Sequence, residues 1–282
     1  MRRDNMLKDY FSLDEDFSRI IKNSLSDKEI INIKPISTGW TNIVFEVSTT
    51  AGNYFFRFPR DNFWIRTIVK DYEFSKFING KTDFNTVKLE LHYDNGRPYS
   101  IHKKIEGIVL ADVMNDLSNE QIKTVSKDIS KFMYQLHNIK FDSNDIFDIT
   151  NIGLNLTDFL NELLDLHVSQ NDKVLWKYEE FKNKEHDTLV HGDLNSSNIL
   201  LDNNYHVAAI IDFGFGGFGN PYFDISRIIG RCPVTFKDEI IKSYEELSCK
   251  DLDYNTLNKE IKIWENIDNS YINYMRKVGI YK

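Results

Sequence analysis

Cysteine is scarce in this chain: there are two in 282 residues, Cys232 and Cys249. Two thiols cannot build a disulfide framework or a cysteine-held metal cluster, which fits a reducing cytoplasm. They read as small, buried residues. No apolar run of membrane-spanning length occurs, and none follows Met1-Arg2-Arg3-Asp4, so neither a transmembrane helix nor a signal peptide is expected. Basic excess is lacking as well. With 35 Lys and Arg against 43 Asp and Glu, a formal charge of -8 argues against a nucleic-acid partner, because a phosphate backbone calls for a basic face. An acidic surface better suits a cationic ligand. There is no repeat, low-complexity tract or Gly/Ser linker, so a domain boundary would have to be a compact hinge. What remains is an ordinary globular composition, 41% hydrophobic and 28% charged, with length for one large domain or two modest lobes.

The stretch richest in chemistry is His191-Gly192-Asp193-Leu194-Asn195-Ser196-Ser197-Asn198, followed by Ile210-Ile211-Asp212-Phe213-Gly214. Phosphoryl transfer rests on positioning and charge neutralisation: an aspartate accepts the acceptor's hydroxyl proton, while oxygen ligands hold magnesium. A His-x-Asp loop, an asparagine five residues later and a downstream Asp-Phe-Gly meet those needs. His191 and Asp193 are the expected catalytic pair, and Asn198 and Asp212 the expected metal ligands. Two short apolar segments, 198–202 and 205–212, read as strands around an Asp202-Asn203-Asn204 turn. Such a hairpin would bring its outer ends, Asn198 and Asp212, side by side.

A second motif overlaps the first. Gly214-Phe215-Gly216-Gly217-Phe218-Gly219 has the form G-x-G-x-x-G, with acidic Asp238 and Glu239 downstream, as in dinucleotide-binding folds. That fingerprint needs its last glycine to open a helix. Here Asn220-Pro221 follows, and the proline biases Asn220 away from helical angles. The glycines are better read as letting the metal-binding loop turn tightly.

The N-terminal third reads as a helix and an antiparallel sheet. Ser12-Leu13-Asp14-Glu15 fits a capping box ahead of Phe17, Ile20 and Ile21. Strands 31–36 and 42–47 flank Ser37-Thr38-Gly39, a small-residue loop that could cover phosphates or be a plain β-turn. Aromatic residues fill a third strand, 53–60, whose Arg57 is placed to bind phosphate, with Glu73 as its expected helix partner. Segments 87–92 and 98–105 form a hairpin around Asp94-Asn95-Gly96. At the junction that follows, backbone groups of Lys103 to Gly107 would read a nucleobase edge, so Lys104, Ile105 and Glu106 are assigned to the nucleotide, with Ile211. From Ser118 onward the pattern turns helical, with Ile122, Val125, Ile129, Phe132, Met133 and Leu136 on one face and helices over 156–168, 234–247 and 257–278. His137 reads as a capping or packing residue.

These parts, in this order, resemble the aminoglycoside phosphotransferase and choline kinase superfamily. The resemblance is carried by residues 189–202 and 210–214, and supported by Asn220-Pro221-Tyr222-Phe223-Asp224-Ile225 and Tyr134-Gln135-Leu136-His137. Gly192 matches the glycine these kinases have where protein kinases have arginine. Phe55-Phe56-Arg57-Phe58-Pro59 is most similar to aminoglycoside 2''-phosphotransferases and macrolide kinases, although many relatives have lysine at the position of Arg57. The resemblance implies an α+β, protein-kinase-like fold with two lobes, residues 1–105 forming an antiparallel sheet with a helix and residues 106–282 a larger, mainly helical part. It implies ATP or GTP with Mg2+, and transfer of the γ-phosphate to a hydroxyl of a small molecule. An aminoglycoside is the leading acceptor, with choline, ethanolamine or a sugar as alternatives and a catalytically dead binding module as the alternative of another class. Asn195, Ser196, Glu239, Trp264, Glu265 and Asp268 are the expected acceptor-binding residues. The last three are read as one helical face toward a cation, or as one side of an amphipathic helix.

Overall fold

The computed structural model describes residues 17–36, 41–60, 64–140 and 188–277. The chain forms two compact units. One takes the chain through Asn79, with Thr86–Glu106 and Asp212–Gly214; the other takes Gly80–Asn85, Gly107–Ile211 and Phe215 onward.

The first unit is built on a five-stranded sheet in the order β1-β2-β3-β5-β4, from β1 (Ile30–Ile36), β2 (Asn42–Thr49), β3 (Gly52–Pro59), β4 (Glu90–Asp94) and β5 (Arg97–Lys103). Adjacent strands pair antiparallel. Strand alternation sends Phe56, Phe58, Tyr99 and Ile101 to one face, where α1 (Phe17–Ser24) packs Phe17, Ile20 and Ile21 against them. The rings of Phe17 and Phe58 lie 4.8 Å apart. Arg57 points to the opposite face, toward α2 (Ile65–Ile78). The turn between β4 and β5 puts Asn95 at φ 51° and Gly96 at φ 83°, the left-handed pair that a two-residue hairpin turn requires. The strand expected over 87–92 starts only at Glu90, where the pairing with β5 reaches Ile101 and stops.

In the second unit, α4 (Asn119–His137) opens with a capping box in which Ser118 Oγ accepts from the Gln121 N–H and Gln121 answers to the Ser118 N–H. A short α3 (Leu110–Val113) precedes it. β6 (Ile108–Val109), β8 (Ile199–Leu201) and β9 (Val207–Ile210) form one small sheet, and β7 (Thr188–Val190) with β10 (Gly217–Gly219) another. The glycine run is therefore strand in part. α5 (Tyr222–Ile229) begins beyond it, with Asn220 Oδ1 accepting the Tyr222 N–H. α6 (Val234–Ser248) lies along α4, where Ser130 donates to the Ile240 carbonyl at 3.0 Å, and α7 (Tyr254–Lys277) packs on α5.

One side chain of α7 sets a pH dependence. Glu260 is wholly buried, and among the described residues neither of its carboxylate oxygens has a hydrogen-bond partner. Burial, opposed by Lys259, pushes its pKa from 4.5 up to about 7. The folded state keeps a proton that the unfolded chain releases above its own lower pKa. Stability therefore falls as pH rises from 4.5 to about 7, by about 3 kcal/mol in all. Glu260→Gln cannot ionise. Its melting temperature is expected to lie close to the parent's near about pH 5 and clearly above it at about pH 8. Thermal unfolding at both values checks this, and an equal difference at the two would remove the assignment.

Candidate active site

β7 delivers the chain to His191, and the main chain there is held from α5. Asp224, fully buried, accepts the N–H of His191 at 2.8 Å and of Gly192 at 2.9 Å. Its third contact is Nε2 of His137, at 3.1 Å. An ionised carboxylate only accepts, so His137 donates there, leaving Nδ1 to accept the hydroxyl of Tyr244 at 2.8 Å. Burial, with Asp224 adding to it, raises the Tyr244 hydroxyl pKa, which keeps the donor protonated. Gly192 has φ +78°, and a Cβ there would sit 2.1 Å from the carbonyl oxygen of Phe215. Only glycine fits.

His191 was expected to be catalytic. It is fully buried, donating through Nε2 to the Ile211 carbonyl at 3.0 Å and accepting the Asp193 N–H at Nδ1 at 3.3 Å. With both nitrogens engaged it braces the loop. Asp193 is half-buried, and its own carbonyl accepts the side-chain amides of Asn195 at 3.0 Å and Asn198 at 2.9 Å. Because Asn198 commits its Nδ2 in this way, its Oδ1 is the atom left for a ligand. Asn195, expected at the acceptor, spends its other end on the Ser197 N–H at 2.9 Å, so it caps the 3-10 turn Ser196–Asn198. Ser196 is half-buried in that turn. The hairpin beyond it is as expected, with Ile199 paired to Ile210 and the Ile211 N–H donating to the Asn198 carbonyl at 3.0 Å.

The Asp193 carboxylate has a partner that the sequence reading missed. Nε of Arg227, on α5, donates to Oδ1 at 2.8 Å, while its NH1 donates to Asp268 at 2.7 Å. The guanidinium lies over the Trp264 ring, 4.6 Å from its centre, and Trp264 Nε1 donates to the Phe223 carbonyl at 3.2 Å. Arg231 also pairs with Asp268. Burial lowers the Arg227 pKa, but Asp193 and Asp268 outweigh it and hold the cation. The sequence reading placed Trp264 and Asp268 among the acceptor-binding residues. Trp264 and Asp268 are buried and committed to Arg227, whereas Glu265, one residue or about 100° further round α7, is exposed. Glu239 is half-buried on α6.

In the first unit, Arg57 pairs with Asp71 and, through NH2, with Asp212 Oδ1 at 3.0 Å. The expected partner was Glu73. Two residues along a helix is more than half a turn, so only Asp71 faces β3, and its other oxygen accepts the Phe213 N–H at 2.9 Å. Phe74, one turn on from Asp71, stacks with Phe213 at 5.7 Å. Burial works against the Arg57 cation, yet Asp212 and Asp71 raise its pKa overall. Asp212 takes a left-handed φ of 66° and its side chain is 40% exposed, with Oδ2 bonded to none of the described residues. Lys104 is tied to Glu46 at 2.8 Å, Ile105 is half-buried and Glu106 exposed. Burial and Arg57 push His102, just before them, down to about 4, so its ring on Phe55 is neutral. Ser37, Thr38 and Gly39 lie outside the described residues.

Residues 32–256 match the phosphotransferase enzyme family. The chain belongs to that family. As a phosphotransferase it shares its α+β, protein-kinase-like fold with solved structures at low identity. An aminoglycoside phosphotransferase, APH(2")-IIia, in complex with GDP and kanamycin, superimposes with a TM-score of 0.71 at 17% identity, covering 93% of both chains. APH(2")-IIa, in a ternary complex with streptomycin and ATP, gives 0.61 at 19% identity over 94% of both. Macrolide 2'-phosphotransferase MphH from Brachybacterium faecium, an apoenzyme, gives 0.60 at 12% over 93% of both. Among the described residues no helix is long and apolar enough to cross a membrane.

Proposed function

We propose that this phosphotransferase moves the γ-phosphate of ATP or GTP, as its magnesium complex, to a hydroxyl of a small cationic molecule, with an aminoglycoside as the leading acceptor. The observation that carries the reading is Asp193: a half-buried carboxylate on a loop anchored by Asp224, with one oxygen taken by Arg227 and the other without a partner among the described residues. Asp193 takes the proton of the acceptor hydroxyl. The acceptor oxygen then bonds to the γ-phosphorus, the bond to the β-phosphate oxygen breaks with its electron pair, and the nucleoside diphosphate leaves. The proton passes on to solvent.

The donor set suits a hard cation. Among the described residues Asp212 has one carboxylate oxygen, and Asn198 its amide oxygen, without a partner, and magnesium takes one or two such protein ligands with substrate phosphates and water. The bound ion would supply charge neutralisation at the transferring phosphoryl group. Arg57, whose NH1 and NH2 are held by Asp71 and Asp212, fixes the orientation of Asp212 and places positive charge beside the oxygens assigned to the metal and the nucleotide phosphates. The formal charge of -8 supports a cationic acceptor. The nucleotide and acceptor are the only partners this reading calls on, without membrane or nucleic acid.

The test is a coupled nucleotide-turnover assay over aminoglycosides, macrolides, choline, ethanolamine and sugars, run with ATP and with GTP. Aminoglycoside-dependent turnover, with a product heavier by one phosphoryl group, is the expected result. Turnover with choline or sugars alone would move the acceptor class, and nucleotide binding without turnover on any would leave a binding module.

A further inference from the structure

Asp224 and Arg227 lie three residues apart on α5, on one face. The first holds the main chain of the catalytic loop and the second reaches the carboxylate that the loop carries. We propose that Arg227 is a positioning residue: it grips Asp193 Oδ1 and so fixes the other oxygen for the acceptor hydroxyl. The inference rests on the proposed role of Asp193 as base.

Four observations build it. Among the described residues Arg227 is the one side chain bonded to the Asp193 carboxylate. The guanidinium is fixed on three sides, by Asp193 at 2.8 Å, by Asp268 at 2.7 Å and by the Trp264 face at 4.6 Å. Its side chain is 8% exposed, so it is closed off from solvent rather than offered to a substrate. Trp264, the wall of this arrangement, is itself pinned through Nε1 to the Phe223 carbonyl of α5. A bond through Nε holds the carboxylate in one rotation, where a mobile lysine would allow several. Asp193 and Asp268, with Arg227 and Arg231, also sum to no net charge, so holding the base buries no unpaired ion.

Arg227→Met, Arg227→Lys and Asp193→Asn are compared in the full chain by kcat, acceptor KM and magnesium-nucleotide Kd. Arg227→Met is expected to lower kcat ~10²-fold with the nucleotide Kd unchanged, since a base misplaced by about 1 Å loses that much. Arg227→Lys should recover only part of it. A further variant, Arg227→Ala, leaves room for rescue: added guanidinium ion should restore part of its rate and nothing to Asp193→Asn, a readout that a purely structural loss would not give. If Arg227→Met does not bind nucleotide at all, Arg227→Lys decides: parental kcat there overturns the inference, and a loss confined to kcat supports it. Full activity in both Arg227 variants with Asp193→Asn inactive would overturn the positioning role alone. Activity retained by Asp193→Asn would overturn the reading of the base beneath it.

Discussion

Asp193→Asn is expected to cut phosphoryl transfer ~10²–10⁴-fold, the range of a lost general base, and to leave magnesium-nucleotide affinity essentially as it was. The substitution is nearly isosteric. An asparagine can still turn its carbonyl oxygen to Nε of Arg227, and its main-chain carbonyl still receives the amides of Asn195 and Asn198. Loop, scaffold and ligand geometry therefore persist, and only basicity is removed. Turnover under saturating nucleotide, together with calorimetric nucleotide titration, separates the two quantities. A rate within about tenfold of the parent would mean that positioning and charge carry the reaction without this proton acceptor.

Asp224→Ala should be the most damaging single change to the second unit. It strips the acceptor from two buried N–H groups, at His191 and Gly192, and from His137 Nε2. Each orphaned buried donor costs about 1–3 kcal/mol, so a loss near about 4 kcal/mol is expected in urea unfolding. Turnover should fall with it even where the protein remains folded, because the loop that aims Asp193 loses its template. Asp224→Asn would separate the causes. It keeps one acceptor oxygen but replaces the other with a donor facing an N–H, so stability should fall by an intermediate amount. A near-parental unfolding midpoint for the alanine variant would show that the loop holds its own shape.

Legibility from sequence followed the range of the interactions. The hairpin from Asn198 to Ile211 was readable because turn residues and alternation are local. The same holds for the Asn95-Gly96 turn. The choice of Asp71 over Glu73 was not, since both lie on one helix and only the face turned to β3 distinguishes them. Arg227 left a trace that could have been followed. A cation embedded in Phe223-Asp224-Ile225-Ser226-Arg227-Ile228-Ile229 is destined for burial, and a buried guanidinium needs carboxylates. Trp264, Glu265 and Asp268 were read as one face toward a cation or one side of an amphipathic helix, because such a pattern shows which residues share a side and is silent about what that side meets. His137 was readable as a capping or packing residue, but its two partners, Tyr244 and Asp224, were not, because they come from helices far along the chain.

Gly192 restricts the history of this protein as well as its shape. The obstacle to any side chain at that point is the carbonyl of Phe215, an atom that every residue carries. No second substitution at 215 can make room, so the usual route of drift, in which one change licenses its neighbour, is closed there. A side chain at 192 would therefore require the backbones of two segments, at 192 and at 215, to shift together.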